Sequence, residues 1–340
     1  MAARVSADRG IVRRPGAGRL YGNAVALPLL LLIGLARVAQ PQSPPSIEAQ
    51  GPPPYQISVN VDLVVLNATV RDGKGRFASD LREEDFEVYE NGARQTIRLF
   101  RHEDIPVTVG LVIDHSGSMR PKMADVIAAA RTFVKSSSPE DQMFVVNFNE
   151  KVSLGLPDNL PFSNRPEDLG SAIANAPTTG MTALYDAVFE ARNRLRTGGP
   201  EKKVLIVISD GGDNASRHTL ADVLQMAGQS TALVYTIGIF DAADNDRNPN
   251  VLRRLAGVTG GEAFFPSEYG EVVAICERIA RDIRHQYTIG YHSTSAARPG
   301  TYLGIRVAAG AAGHGKLTVR ARSGYIAGGE SRAVKEVAVK

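Results

Sequence analysis

Tryptophan is absent from this 340-residue chain, and cysteine occurs once. One cysteine excludes an intrachain disulfide, which fits a bacterial origin better than a disulfide-stapled extracellular module. Cys276 falls among Val272, Val273, Ile275 and Ile279 at helical spacing, the setting of a buried, inert thiol. The six histidines (102, 115, 218, 285, 292 and 314) are scattered without metal-ligand spacing. No G-x-G-x-x-G follows an apolar run, which leaves dinucleotide binding unsupported. G-x-S-x-G, the mark of one large hydrolase class, is also missing. Aromatic residues make up only 6% of the chain and form no platform with arginine. Strong net charge is lacking too, at +3 overall. The first 36 residues hold Arg4, Arg9, Arg13, Arg14 and Arg19 against Asp8, a net of +4, so the remainder is near −1. Neither feature favours nucleic acid as a partner.

What is present is ordinary globular composition, 43% hydrophobic and 22% charged. The basic leader runs into residues 24–36, an uncharged segment rich in Leu and Ala. It is short for a membrane span but fits the apolar core of a signal peptide, with small residues near 34–36 for cleavage. Export to the periplasm or beyond is expected, with a signal peptide over 1–36; an uncleaved anchor in the inner membrane is the alternative. No later segment is long and apolar enough to span a membrane, so the mature chain is expected to carry none. Residues 37–54, containing PQSPPS and GPPP, read as a proline-rich linker.

From residue 55 the pattern is β. Ile57, Val59, Val61 and Leu63 alternate on one parity and Val64, Leu66, Ala68 and Val70 on the other, which suggests a bulge or bend between two strands. Residues 86–89, the turn Glu90-Asn91-Gly92, and 96–100 read as a hairpin. A block of alternating strands and helices follows. Strands are expected near 107–113, 143–148, 203–209, 232–239 and 262–265. Helices are expected near 121–135, 166–175, 183–196, 219–228, 249–257 and 269–285. Such alternation, with near-continuous Val/Ile/Leu strands, predicts a doubly wound, mostly parallel α/β sheet covered by helices on both faces. The β pattern then returns at 287–292, 302–308 and 316–322. Three strands alone would be poorly stable. They are therefore expected to join the upstream strands in one small all-β sandwich into which the α/β domain is inserted. The resulting division is sandwich over 55–101 and 287–327, α/β domain over 102–286, and a flexible tail over 328–340.

The first strand of the α/β block runs out into Asp114, Ser116, Gly117 and Ser118. That places one carboxylate and two hydroxyls at the carboxyl edge of a sheet, where open α/β sheets bind ligands. Hard oxygen donors in a tight loop suit a small hard cation, Mg²⁺ first, with Mn²⁺ or Ca²⁺ as alternatives. By itself D-x-S-x-S is also ordinary loop and cap composition. Two later stretches add to it: Gly180-Met181-Thr182, just before a helix, and KVLIVIS ending in Asp210-Gly211-Gly212.

With Asp114, Ser116, Ser118, Thr182 and Asp210 in this order, the sequence resembles the von Willebrand factor type A domain. The metal-ion-dependent adhesion site of that family is built from D-x-S-x-S, a distant Thr and a distant Asp followed by Gly. The segments LREEDFEVYENG (81–92), YTIGY (287–291) and LTVRARSGYIA (317–327) also resemble secreted bacterial relatives that flank this domain in the same way. The resemblance implies that Ser116 and Ser118 ligate a divalent metal directly. Asp114 and Asp210 would act mostly through water, and Thr182 directly or not, depending on state. One coordination position would remain for an acidic side chain of a protein partner. Asp213 and Asn214 either support the site from behind or only shape a turn. The expectation is a non-enzymatic adhesion module; the alternative is a structural component of an envelope assembly in which the metal only stabilises the fold. Asp114-His115-Ser116 is poor triad geometry, because adjacent residues in an extended loop diverge.

Overall fold

The computed structural model describes residues 63–240, 247–268 and 270–328. The expected signal peptide and linker, the alternating run at 57–61, and all of the expected tail after residue 328 lie outside the described residues. All described residues belong to one compact unit, 58–340.

The chain enters through four strands: β1 (Leu63–Arg71), β2 (Phe86–Glu90), β3 (Ala93–Gln95) and β4 (Ile97–Arg101). Val64, Leu66, Ala68 and Val70 share the buried face of β1, as their common parity requires. Asn91 and Gly92, with φ of 46° and 85°, form the two-residue turn joining β2 to β3. Positive φ at both positions gives a turn whose twist matches the flanking strands.

The return strand of that hairpin differs from expectation. It is the short β3, whereas β4, over the expected second arm, pairs with a downstream strand in a different sheet. The apolar residues Ile97, Leu99 and Phe100 mark β4 as a strand but do not specify the neighbour it pairs with.

The α/β block then runs in order. It begins with β5 (Val107–Asp114), a 3₁₀ turn over Gly117–Lys122, α1 (Met123–Lys135), β6 (Gln142–Phe148) and β7 (Val152–Leu154). It continues through α2 (Pro166–Ala174), α3 (Leu184–Leu195), β8 (Lys202–Ser209), α4 (Leu220–Gln229) and β9 (Leu233–Gly238). It closes with α5 (Pro249–Thr259), β10 (Ala263–Phe264) and α6 (Glu271–Arg284). The expected first helix is part 3₁₀ because Pro121, which lacks an N–H, stands inside its opening turn. Local caps fix other boundaries. Thr219 and Asp222 form a capping box on α4, and the Asn248 side chain accepts from Val251 N–H at the start of α5.

The strand order is β10-β9-β8-β5-β6-β7, parallel throughout except for β7, which turns back on β6. β5, the central strand, is buried at every residue. α1 packs with α2 and α6 in one helical layer, and α4 with α3 and α5 in another. β5 leads outward to β6 on one side and β8 leads to β9 on the other. The order therefore reverses between β5 and β8, and their carboxyl ends flank the switch point of the sheet.

After α6 come β11 (Gln286–His292), β12 (Tyr302–Ala309), β13 (Thr318–Arg320) and β14 (Gly324–Ile326). β1 lies between β11 and β13, and β2 pairs with β12, so strands from the two ends of the chain share two four-stranded antiparallel sheets. Leu66, Phe86, Val88, Tyr287, Ile289 and Tyr291 contribute to one core between them. The expected strand at 316–322 is cut to three residues, and just beyond it the Arg322 guanidinium donates to the carbonyls of Gly228, Ser230 and Gly324. Among the described residues, no helix is long and apolar enough to cross a membrane.

Candidate metal centre

The carboxyl ends of β5 and β8 bring four of the five candidate residues into one hydrogen-bonded chain. Asp114 ends β5 with its side chain inside the protein. Its Oδ1 accepts from the Ser116 N–H at 2.8 Å, and its Oδ2 accepts from the Ser209 hydroxyl at 2.6 Å. The Ser116 and Ser118 hydroxyls lie 3.2 Å apart. Ser118 in turn donates to Asp210 Oδ2 at 2.7 Å, while Asp210 Oδ1 accepts from the Gly212 N–H at 3.0 Å. Gly211 holds a φ of +81° and packs against the Asn248 carbonyl, which admits no side chain at that turn.

Thr182 is delivered by a neighbouring loop. The Gly117 N–H donates to the Gly180 carbonyl at 3.2 Å, and the Thr179 N–H to the His115 carbonyl at 2.8 Å. Those two rungs zip the 115–117 stretch to the chain leading into α3. From the other side, Asn214 clamps Thr182: its Oδ1 accepts from the Thr182 N–H at 2.8 Å, and its own N–H donates to the Thr182 carbonyl at 3.0 Å. Asp213 accepts from the Tyr185 N–H at 2.9 Å and from the Ser216 hydroxyl at 2.6 Å. Asp213 and Asn214 thus shape a turn and also tie the Asp210 loop to the Thr182 loop.

His115 lies between the two motif residues with its ring turned away into the protein. Its Nε2 is 3.1 Å from Asn147 Oδ1 and its Nδ1 3.2 Å from Thr178 Oγ1. Burial lowers its pKa, which favours the neutral ring. Met119 is fully buried as a packing residue.

One partner escaped the sequence reading. Ser209 is completely buried and also accepts from the Gly211 N–H at 3.0 Å, so it positions Asp114 and the Asp210 turn together. The signal was a hydroxyl closing an otherwise all-apolar strand.

Burial pushes the Asp114 carboxyl up to about 6, and the negative charge of Asp210 adds to the rise against the donating Ser209 and Ser116. Two buried carboxylates facing hydroxyls make a cluster with an excess of hard oxygen donors, chemistry that suits a divalent cation. Among the described residues no three His, Cys, Asp or Glu side chains gather as metal ligands. The candidate set contains only two such residues, its other donors being hydroxyls.

An open, mostly parallel α/β sheet with helices on both faces and an oxygen-donor cluster at its switch point defines a Rossmann-like α/β domain. The chain belongs to the von Willebrand factor type A domain family, whose profile matches residues 108–278. Domains of this family are generally non-catalytic protein-interaction modules and often bind a divalent cation at a site of this donor type. No curated protein matches the chain.

Three solved structures illustrate the likeness. A von Willebrand factor type A protein from Catenulispora acidiphila is 15% identical, over 78% of this chain and 75% of its own, with a TM-score of 0.48. The vWF domain of the type V pili tip protein Mfa5 from Porphyromonas gingivalis is 18% identical, over 53% of this chain and 95% of its own, with a TM-score of 0.42. Proximal thread matrix protein 1 from the mussel byssus is 16% identical, over 54% of this chain and 49% of its own, with a TM-score of 0.45.

Proposed function

We propose that this protein is an exported, non-enzymatic binding module that engages an acidic side chain of a protein partner through a divalent cation. Asp114, Ser116, Ser118, Thr182 and Asp210 would hold the ion, with Mg²⁺ preferred and Mn²⁺ or Ca²⁺ able to replace it. The observation that carries this reading is the continuous chain Ser209–Asp114–Ser116–Ser118–Asp210 at the sheet's switch point. The ion would supply positive charge at the mouth of the site, where a partner carboxylate completes its shell. The chain's own residues do the rest: the serine hydroxyls present oxygens, Ser209 fixes the Asp114 carboxylate, and Asn214 holds Thr182 at the rim. The α/β block is read as a domain inserted into the sandwich, with a signal peptide and a proline-rich linker preceding both.

The test is calorimetric titration of Mg²⁺ and Mn²⁺ into the wild-type protein and into Asp114→Ala, with circular dichroism on both. Binding that disappears in a folded Asp114→Ala protein is the expected result. Absence of binding in the folded wild type would overturn the reading.

A further inference from the structure

Among the described residues three large apolar side chains stand exposed: Leu160, Met181 and Tyr302. Leu160 lies in the loop between β7 and α2, which leads back to the amino end of β6 through the bridge of Ser163 to Met143. Tyr302 opens β12 in the sandwich. Only Met181 belongs to the edge that carries the candidate metal centre, one residue before Thr182.

The backbone beneath Met181 is firmly placed. Gly180 adopts φ +86°, and a Cβ there would collide with the Glu150 carboxylate. Glu150 Oε2 accepts the Met181 N–H at 3.2 Å, and Asn214 fixes Thr182 on the following side. A side chain 54% exposed on so well-tethered a backbone is displayed rather than frayed. Along the same seam, Arg120 extends the zipper by one more rung. Its Nη2 and Nε donate to the Thr178 carbonyl at 3.1 and 3.3 Å, which keeps an exposed guanidinium beside the loop. Glu150 is the opposing charge nearby, tied to the loop backbone through the Met181 N–H.

We propose that Met181 and Arg120 make this face selective for a carboxylate carried on an apolar arm: an acidic side chain flanked by aliphatic residues. This rests on the metal-binding reading above. The cation would take the carboxylate, Met181 would cover the aliphatic part, and the Arg120 guanidinium would disfavour a second cation at the rim. The flexible thioether suits Met181 to arms of different shape.

The experiment compares acetate with hexanoate as probes. Each is titrated into the full chain saturated with Mg²⁺ and into the same protein with EDTA, following the ¹³C-labelled methionine methyl resonances. The Met181 signal is assigned by its loss in Met181→Ser. Hexanoate should bind roughly tenfold tighter than acetate in the Mg²⁺ form, because each buried methylene is worth severalfold in affinity. That gap should shrink to about twofold or less in Met181→Ser. Arg120→Gln should weaken both probes by a similar factor, as expected for a charge at the rim. Equal affinities in the wild type would overturn this inference and leave the metal site standing. Hexanoate binding that ignores EDTA would overturn it as well. Failure of both probes to bind the Mg²⁺ form would overturn the metal–carboxylate reading and this inference with it.

Discussion

The two ends of the parallel sheet bury the same residue type and treat it in opposite ways. At the carboxyl end Asp114 and Asp210 are nearly inaccessible, and hydroxyls and N–H groups meet them. At the amino end Asp282 and Asp141 are just as inaccessible, but guanidinium groups meet them. Asp282, on α6, is paired with Arg320 of β13 and, at 3.4 Å, with Arg71 of β1; it also accepts from the Tyr235 hydroxyl of β9 at 2.5 Å. Gln286 donates to that same hydroxyl at 3.0 Å. Arg284 pairs with Asp141 and, at 2.7 Å, with Asp104. Burial pushes the Asp114 and Asp282 carboxyls up. Arg320, Tyr235 and Arg71 outweigh burial at Asp282, whose pKa ends below the usual range, whereas Asp114 rises to about 6. Negative charge neutralised from within bolts the sandwich strands to the α/β layer. Negative charge left without a guanidinium partner suits a cation from solution.

The largest effect should come from breaking the bolt. Asp282→Ala leaves Arg320 and Arg71 with the looser contacts to Glu262, at 3.7 and 3.9 Å, and removing one member of a buried pair costs about 3–5 kcal/mol. Urea unfolding should show that loss. The pH dependence sharpens the point. A lowered carboxyl pKa contributes stability that is full above the unfolded value, about 4, and disappears as pH falls through the folded value. Asp282→Asn should therefore flatten the acid limb of the stability curve below about pH 4.

Lys202 is the converse at the same end. Burial, helped by Arg284, lowers its pKa to about 7, while its Nζ donates to the Ile283 carbonyl. A base whose folded pKa is depressed destabilises the fold most below the folded value. That penalty fades as pH rises from 7 toward the unfolded value of about 10.4. Lys202→Met should accordingly gain most over wild type below pH 7, with the gain shrinking toward pH 10 in denaturant titrations.

A smaller effect is expected at the carboxyl end from Ser209→Ala. It removes one donor from a buried carboxylate and should cost about 1–3 kcal/mol in the absence of divalent cation. If the comparison holds, saturating Mg²⁺ should recover part of that loss. In Asp282→Ala, whose metal site is intact, Mg²⁺ should stabilise variant and wild type equally and leave the difference between them unchanged.

Much of this comparison was legible in the sequence at one end and little of it at the other. Asp114, Ser116 and Ser118 come within five residues of one strand end, and the runs that form β5 and β8 announce themselves as continuously apolar. The α/β elements were therefore anticipated within a few residues. β7 was not, because Val152–Leu154 is three residues long and pairs only with β6. The bolt could not be read at all, since Arg71 and Asp282 meet across 211 positions of sequence. Nothing local in either residue signals a partner that far away. The neighbour of β4 failed for the same reason: apolar residues mark a strand, and only long-range pairing tells what it lies against.

The most direct test follows the melting midpoint of the wild type as Mg²⁺ is added, beside Asp114→Ala and Asp282→Asn. A ligand bound only by the folded state at a hundred times its Kd stabilises by about 2.7 kcal/mol. For a chain this size that should raise the midpoint by roughly 5 °C. The account predicts that rise in the wild type and a similar one in the less stable Asp282→Asn, with none in Asp114→Ala. An unchanged midpoint in the wild type, or an equal rise in Asp114→Ala, would contradict it.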